Sequence, residues 1–209
     1  MSDQKEGQEA GGDPSVRRGD TNTYVMVDVE ADGPCPGDYS MVAIGAVVVD
    51  RRLDRTFKAC LKPVSDKWIK RCLDICRLSR AQTLAFEDPK DVMERFAAWL
   101  AENAPWRPRM ISDNNGYDWQ YVNWYFHHFT GSNPFGHSSA NLGSFHKGVV
   151  RDCSKSFKHL RRTRHTHDPL DDAMGNAEAL VSIVDEFGVR GVIPGGVVEG
   201  GGRESDETH

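Results

Sequence analysis

The chain has 209 residues, with 26 Lys and Arg against 31 Asp and Glu, for a net charge of −5. Five Trp, nine Phe and several Val/Ile runs exclude a collagen-like or wholly disordered chain. The longest apolar stretch, Ala43–Val49, falls far short of the ~20 residues that cross a bilayer, so no membrane association is expected.

Met1–Asp20 is polar and almost free of apolar residues, and is expected to be a disordered tail. It holds no apolar core of the secretory-signal kind, which points to a cytoplasmic location. Seven of the fifteen residues from Gly188 to Gly202 are Gly, so 188–209 is expected to be a second disordered tail. Residues 21–187 are left as one domain.

The first elements read as strands. Tyr24–Val29 is a short β-branched run, Ser40–Val49 a second, and Arg55–Pro63 a third. Gly33, Pro34, Pro36 and Gly37 punctuate the first gap and Asp50–Asp54 the second. Gaps this short suit an antiparallel meander. Asp88-Pro89 then opens a helix with Val92, Phe96, Trp99 and Leu100 on one face. Arg109–Ser112 is a short strand, and Asp118–Phe129 a helix dense in aromatic rings, expected to be core rather than a base-stacking surface. Helices over Leu142–Val150 and Leu170–Phe187 complete the domain, the last with Ala173, Ala177, Leu180, Val181 and Val184 inward. Strands followed by interleaved helices and strand suggest a mixed α/β layer fold.

Cys35, Cys60, Cys72, Cys76 and Cys153 form an odd, scattered set with no His or Cys partners at zinc spacing. They are expected to be reduced packing residues.

Acidic residues fall at the ends of the apolar elements. Asp28 and Glu30 close the first strand, on one face by its two-residue period, where they repel each other unless a cation lies between them. The alternative is a strand that runs out into a polar loop, with Asp32 as a further, solvated acid. Asp118 follows Ser112–Tyr117 and opens the aromatic helix, where an acid is also a good cap. His165–Ala173 holds three acids and two histidines at the start of the last helix, and capping needs only one of those acids. Four acids at three element ends, with a His beside them, suggest a hard-cation site of oxygen ligands.

Three motifs carry a family resemblance. Asp28-Val29-Glu30 ends a strand, Asn114 precedes Asp118 by four residues with Tyr117 between, and His167 precedes Asp172-Ala173 by five. In this order the chain resembles the DEDDh group of 3′–5′ exonucleases, which have a ribonuclease H-like fold. The resemblance implies a three-layer α/β fold, with a mixed sheet (the antiparallel first three strands plus parallel ones) flanked by helices. It implies Asp28, Glu30, Asp118 and Asp172 as ligands of two divalent metal ions, Mg²⁺ or Mn²⁺. It makes His167 the catalytic base, and a histidine titrating near ~6.5 suits that work. Val29 and Ala31 would touch the terminal nucleotide. The expected products are nucleoside 5′-monophosphates cut from a 3′-OH end of single-stranded RNA or DNA. RNA or short oligonucleotides are favoured, since no polymerase-like region accompanies the domain. Single-domain relatives commonly dimerise, so a homodimer is a possible assembly.

The chain departs from the family at Ala31 (often Thr), at Asp113 (often His) and at Ile75–Ser79, where many relatives have His-Gly-Ile-Thr. Lys147–Arg164 carries a net +6 over eighteen residues and leads into His167, which suggests phosphate contact, against the alternative of a solvated basic helix. Two other functions fit the same residues: an idle nuclease-like module that binds nucleic acid or protein, and a mononucleotide phosphohydrolase. All five motif positions are filled, which favours the active nuclease over the idle module.

Overall fold

A computed structural model describes residues 22–193. The expected N-terminal tail and most of the expected Gly-rich tail lie outside the described residues.

Five strands form one mixed sheet: β1 (Thr23–Ala31), β2 (Met41–Val48), β3 (Thr56–Cys60), β4 (Pro108–Ser112) and β5 (Ser139–Asn141), in the order β3-β2-β1-β4-β5. The first three make the expected antiparallel meander, while β4 runs parallel to β1 and β5 parallel to β4. The helices are α1 (Lys70–Ile75), α2 (Arg80–Leu84), α3 (Pro89–Asn103), α4 (Asn115–Thr130), α5 (Leu142–Val150) and α6 (Pro169–Phe187). None is long and apolar enough to cross a membrane.

Each face of the sheet has its own core. Val25, Val27, Val29 and Ala31 of β1 pack with Phe96 of α3 and Tyr121, Tyr125 and Phe126 of α4. Met26, Val47 and Ile111 face the other way, against Leu142 of α5 and Ala173, Ala177 and Leu180 of α6. The two-residue period of β1 thus divides its side chains between the layers. Val192 and Ile193 are buried in the second core, so packed chain continues past Phe187.

The aromatic residues of α4 belong mainly to the core. Tyr121 donates to the Gly33 carbonyl at 2.6 Å and Tyr117 to the same oxygen at 3.0 Å, while the Tyr125 hydroxyl accepts from the Met41 amide at 2.8 Å. These bonds satisfy the buried hydroxyls and pin the β1–β2 connection.

Three short elements escaped the sequence reading: α1, α2 and β5. The two helices have little apolar periodicity; a local cap holds α2, and bonds to Asp32 from the Ile69 amide and from Arg80 tie both to the sheet. Ser79 and Gln82 form a capping box on α2. Arg80 reaches back to Asp32 at 2.9 Å.

Candidate active site

The site lies where the adjacent parallel strands β1 and β4 reach their C-terminal ends, a common place for a ligand in α/β folds. Asp28 and Glu30 extend from the face of β1 opposite Val29 and Ala31. Asp118 comes from the first turn of α4 and Asp172 from the first turn of α6.

A glycine makes the approach of α6 possible. Gly45 of β2 pairs with Asp28 of β1. A Cβ on Gly45 would lie 2.3 Å from the carbonyl carbon of Pro169 and 2.4 Å from the Leu170 nitrogen. With no side chain there, the first turn of α6 rests directly on the sheet beside Asp28.

The carboxylates converge. Asp28, Glu30 and Asp172 each bring an oxygen within 4.8 Å of the other two. Asp118 is buried, and its Oδ1 accepts from the Val29 amide at 3.3 Å. Its Oδ2 is buried with no hydrogen-bond partner. Leaving a carboxylate oxygen unpaired in the interior costs about 1–3 kcal/mol or more. All of these ligands are hard oxygens and one is unspent, a set that fits a divalent cation.

The electrostatics agree. Burial pushes the Glu30 carboxyl up to about 7, and the hydrogen bond from the Cys76 thiol only partly offsets it. Burial likewise pushes Asp118 up to about 7, against bonds from Ser112 and the Val29 amide. Asp28 is raised well above the usual carboxylate range by burial and by repulsion from Asp118, Glu30 and Asp172. The Arg161 charge offsets this at Asp28 and is outweighed.

His167 stands at the rim. Its Nδ1 is 3.9 Å from Glu30 Oε1, and its side chain is 39% exposed. The residue is left-handed, with φ of 61°, an uncommon state for a side-chain-bearing residue that must be held by its surroundings. Asp172 holds it, accepting from the His167 amide at 3.1 Å and the Thr166 amide at 2.9 Å. The other acids of this cluster do different work. Asp168 caps α6 through the Leu170 and Asp171 amides, and Asp171 accepts from the Thr166 hydroxyl. Asp118 is not the cap of α4, as its position had suggested; Asn114 precedes that helix and Asp118 lies within its first turn.

The structure therefore brings Asp28, Glu30, Asp118, Asp172 and His167 together. It does not bring the side chains of Val29 and Ala31 to them. Both are buried in the first core, so any contact they make with a ligand would be through main-chain atoms.

Three sequence readings change. Asp32 is not solvated but fully buried, where it accepts from the Ser40 amide at 2.6 Å and from Arg80. Cys76 is more than a packing residue, since its thiol donates to Glu30 Oε2 at 2.8 Å. The basic segment is neither a continuous helix nor wholly open. Arg161 is nearly buried and bonds Asp113 and Asn176, and Arg162 pairs with Glu178. Among the described residues, Lys147, Arg151, Lys155 and Arg164 are exposed and form no ion pair. Arg77, within the Ile75–Ser79 departure, has a φ of 56°, a conformation that glycine adopts readily.

No family model matches the chain. It is 33% identical over 181 residues to the 3′–5′ DNA exonuclease Cap18 of Escherichia coli, across 81% of this chain and 95% of that protein. The fold is shared with the nuclease domain of 3′hExo, a DEDDh family member bound to rAMP. That likeness has a TM-score of 0.64 at 12% identity, over 80% of this chain and 94% of that one. It is shared also with E. coli exonuclease I in complex with a dA16 oligonucleotide. There the TM-score is 0.61 at 15% identity, over 79% of this chain and 41% of the longer protein.

Proposed function

The chain belongs to the DEDDh-type family of 3′–5′ exonucleases, and from that premise we propose that it hydrolyses single-stranded DNA from a 3′-OH end to nucleoside 5′-monophosphates. The observation that carries the reading is the gathering of four carboxylates, three of them of raised proton affinity and one with a spare buried oxygen, beside an open histidine.

Asp28, Glu30, Asp118 and Asp172 are the residues that would hold two divalent cations, Mg²⁺ or Mn²⁺. Bound there, the pair would neutralise charge on the attacking and leaving oxygens of the phosphodiester. The chain supplies the rest. Water oxygen bonds to phosphorus as the bond to the 3′ oxygen breaks, and a ring nitrogen of His167 takes the proton from that water. Asp172 fixes the backbone of His167 and so aims its ring. Arg164, exposed next to His165 and without an ion pair among the described residues, is the phosphate contact for the incoming strand, whereas Lys155 lies with Glu186 and Phe187 at the far end of α6.

DNA is preferred here to the RNA substrate that sequence alone had favoured. That expectation rested on the lack of a polymerase-like region. Cap18 is named for DNA and the match spans 95% of it, which supports DNA as the substrate of this chain.

Product analysis on matched 5′-labelled DNA and RNA oligomers tests the proposal. A ladder shortening from the 3′ end, faster on DNA and blocked by a 3′-phosphate, is expected. Faster shortening of RNA would overturn the sugar assignment, and endonucleolytic products would overturn the polarity.

A further inference from the structure

The acids account for Asp172 and His167 but leave His165 without a role. His165 Nδ1 lies 2.7 Å from Asp172 Oδ2. Its ring meets that of His167 edge to face, with centroids 4.3 Å apart. His165, His167 and Asp172 each offer one ligand atom within 4.8 Å of the others. This set differs in kind from Asp28, Glu30 and Asp172, because two of its three donors are imidazole nitrogens.

We propose that His165, His167 and Asp172 form a second metal site, selective for Zn²⁺ and similar borderline cations, and that its occupation switches the nuclease off. Imidazole suits zinc and its neighbours, whereas Mg²⁺ keeps to oxygen ligands. Zinc bound at about 2.0–2.1 Å to each ligand needs donors roughly 3.3 Å apart in a tetrahedron. The donors now lie within 4.8 Å of one another, and rotation of two histidines whose side chains are 51% and 39% exposed brings them to that spacing. Asp172 needs no movement, because the Thr166 and His167 amides already fix its carboxylate. A three-ligand site on an open rim leaves the fourth position to water.

The two sites exclude each other. Zinc on the histidine set takes an oxygen of Asp172 away from the acid set and occupies the ring of His167. The inhibitory half of this inference rests on the proposed nuclease reading; the binding half does not.

The test is calorimetric titration of the intact chain with ZnCl₂ in excess Mg²⁺, with Co²⁺ absorption as a second readout of nitrogen ligation. Wild type should take up Zn²⁺ despite the Mg²⁺. His165→Gln should bind it more weakly by upwards of the about 10–100-fold that loss of a supporting partner costs a metal site. Asp28→Asn, which spares the histidine set, should keep the Zn²⁺ site. Unchanged Zn²⁺ affinity in His165→Gln, or its loss in Asp28→Asn alone, would place the ion on the acids and overturn the proposal. Zinc inhibition of DNA cleavage should fall in parallel in His165→Gln, and equal inhibition of both proteins would overturn the switch. Zinc binding without any Mg²⁺-supported cleavage would sink the nuclease reading and leave the site standing.

Discussion

Gly45 and Pro169 touch backbone to backbone, so the helix that carries Asp172 sits against the strand pair that carries Asp28. No larger residue fits at position 45, because the atoms it would meet are main chain and cannot swing away. Gly45→Ala should therefore lift the first turn of α6. We expect a loss of about 1–3 kcal/mol in stability, the usual cost of overpacking. Mn²⁺ affinity should weaken with it, as Asp172 withdraws. Gly148→Ala in α5 is the control, since a Cβ there meets nothing within 4 Å. It should stabilise by about 0.5–1 kcal/mol. Thermal unfolding with and without Mn²⁺ reads both effects.

Asp32 is fully buried and its charge is balanced by Arg80, whose side chain is 15% exposed. Arg80→Leu removes the partner and leaves the carboxylate in the interior, against Ser40. The expected loss is about 3–5 kcal/mol. Adding Asp32→Asn to the Arg80→Leu chain should recover part of it, and urea unfolding of the four proteins of that cycle measures the coupling.

The pH dependence of metal stabilisation follows from the raised acids. Glu30 and Asp118 hold their protons to about 7 when folded, and Asp28 is raised as well, whereas unfolded carboxyls titrate near ~4. Between those values the folded state binds more protons. Without metal, the stability these groups contribute is complete below about pH 4 and is lost as pH rises through 7. For Glu30 alone the loss is about 3 kcal/mol. A divalent cation replaces the protons, so Mn²⁺ should raise Tm more at pH 8 than at pH 5. An equal or larger rise at pH 5 would show that the acids are not competing with protons for the ion.

Cys76 tunes one of these acids. Its thiol donates to Glu30 and favours the ionised carboxylate. Cys76→Ala should raise the proton affinity of Glu30, and the pH at which Mn²⁺ binding reaches half its maximum should move upward. Cys76→Ser keeps a donor and should restore the midpoint. Metal titrations over a pH series distinguish the three proteins.

What the sequence reveals here is what local pattern controls. The β-branched runs and short gaps disclosed the meander, and the period of two already placed Asp28 and Glu30 on one face. The acids at the start of α6 were legible because three exceed what a cap requires, whereas Asp118 at the start of α4 could be read as a cap and was picked out only by its motif. What was hidden depended on distant partners. Asp32 looked solvated because Arg80, which buries it, is 48 residues away. Cys76 looked inert because Glu30 lies 46 residues before it. Arg161 looked like one more surface cation until Asp113 and Asn176 enclosed it. The approach permitted by Gly45 leaves no mark in a strand pattern at all.

The most direct test of the central claim is Asp118→Asn, which alters the carboxylate with the spare buried oxygen and changes the side chain little in shape. Cleavage of 5′-labelled single-stranded DNA with Mn²⁺ would be followed beside wild type and His167→Ala. The account predicts a 3′-to-5′ ladder from wild type, its loss in Asp118→Asn with the fold intact, and a drop of about 10²–10⁴-fold in His167→Ala. Undiminished cleavage by a folded Asp118→Asn chain would contradict it, and the chemistry would have to be sought away from these carboxylates.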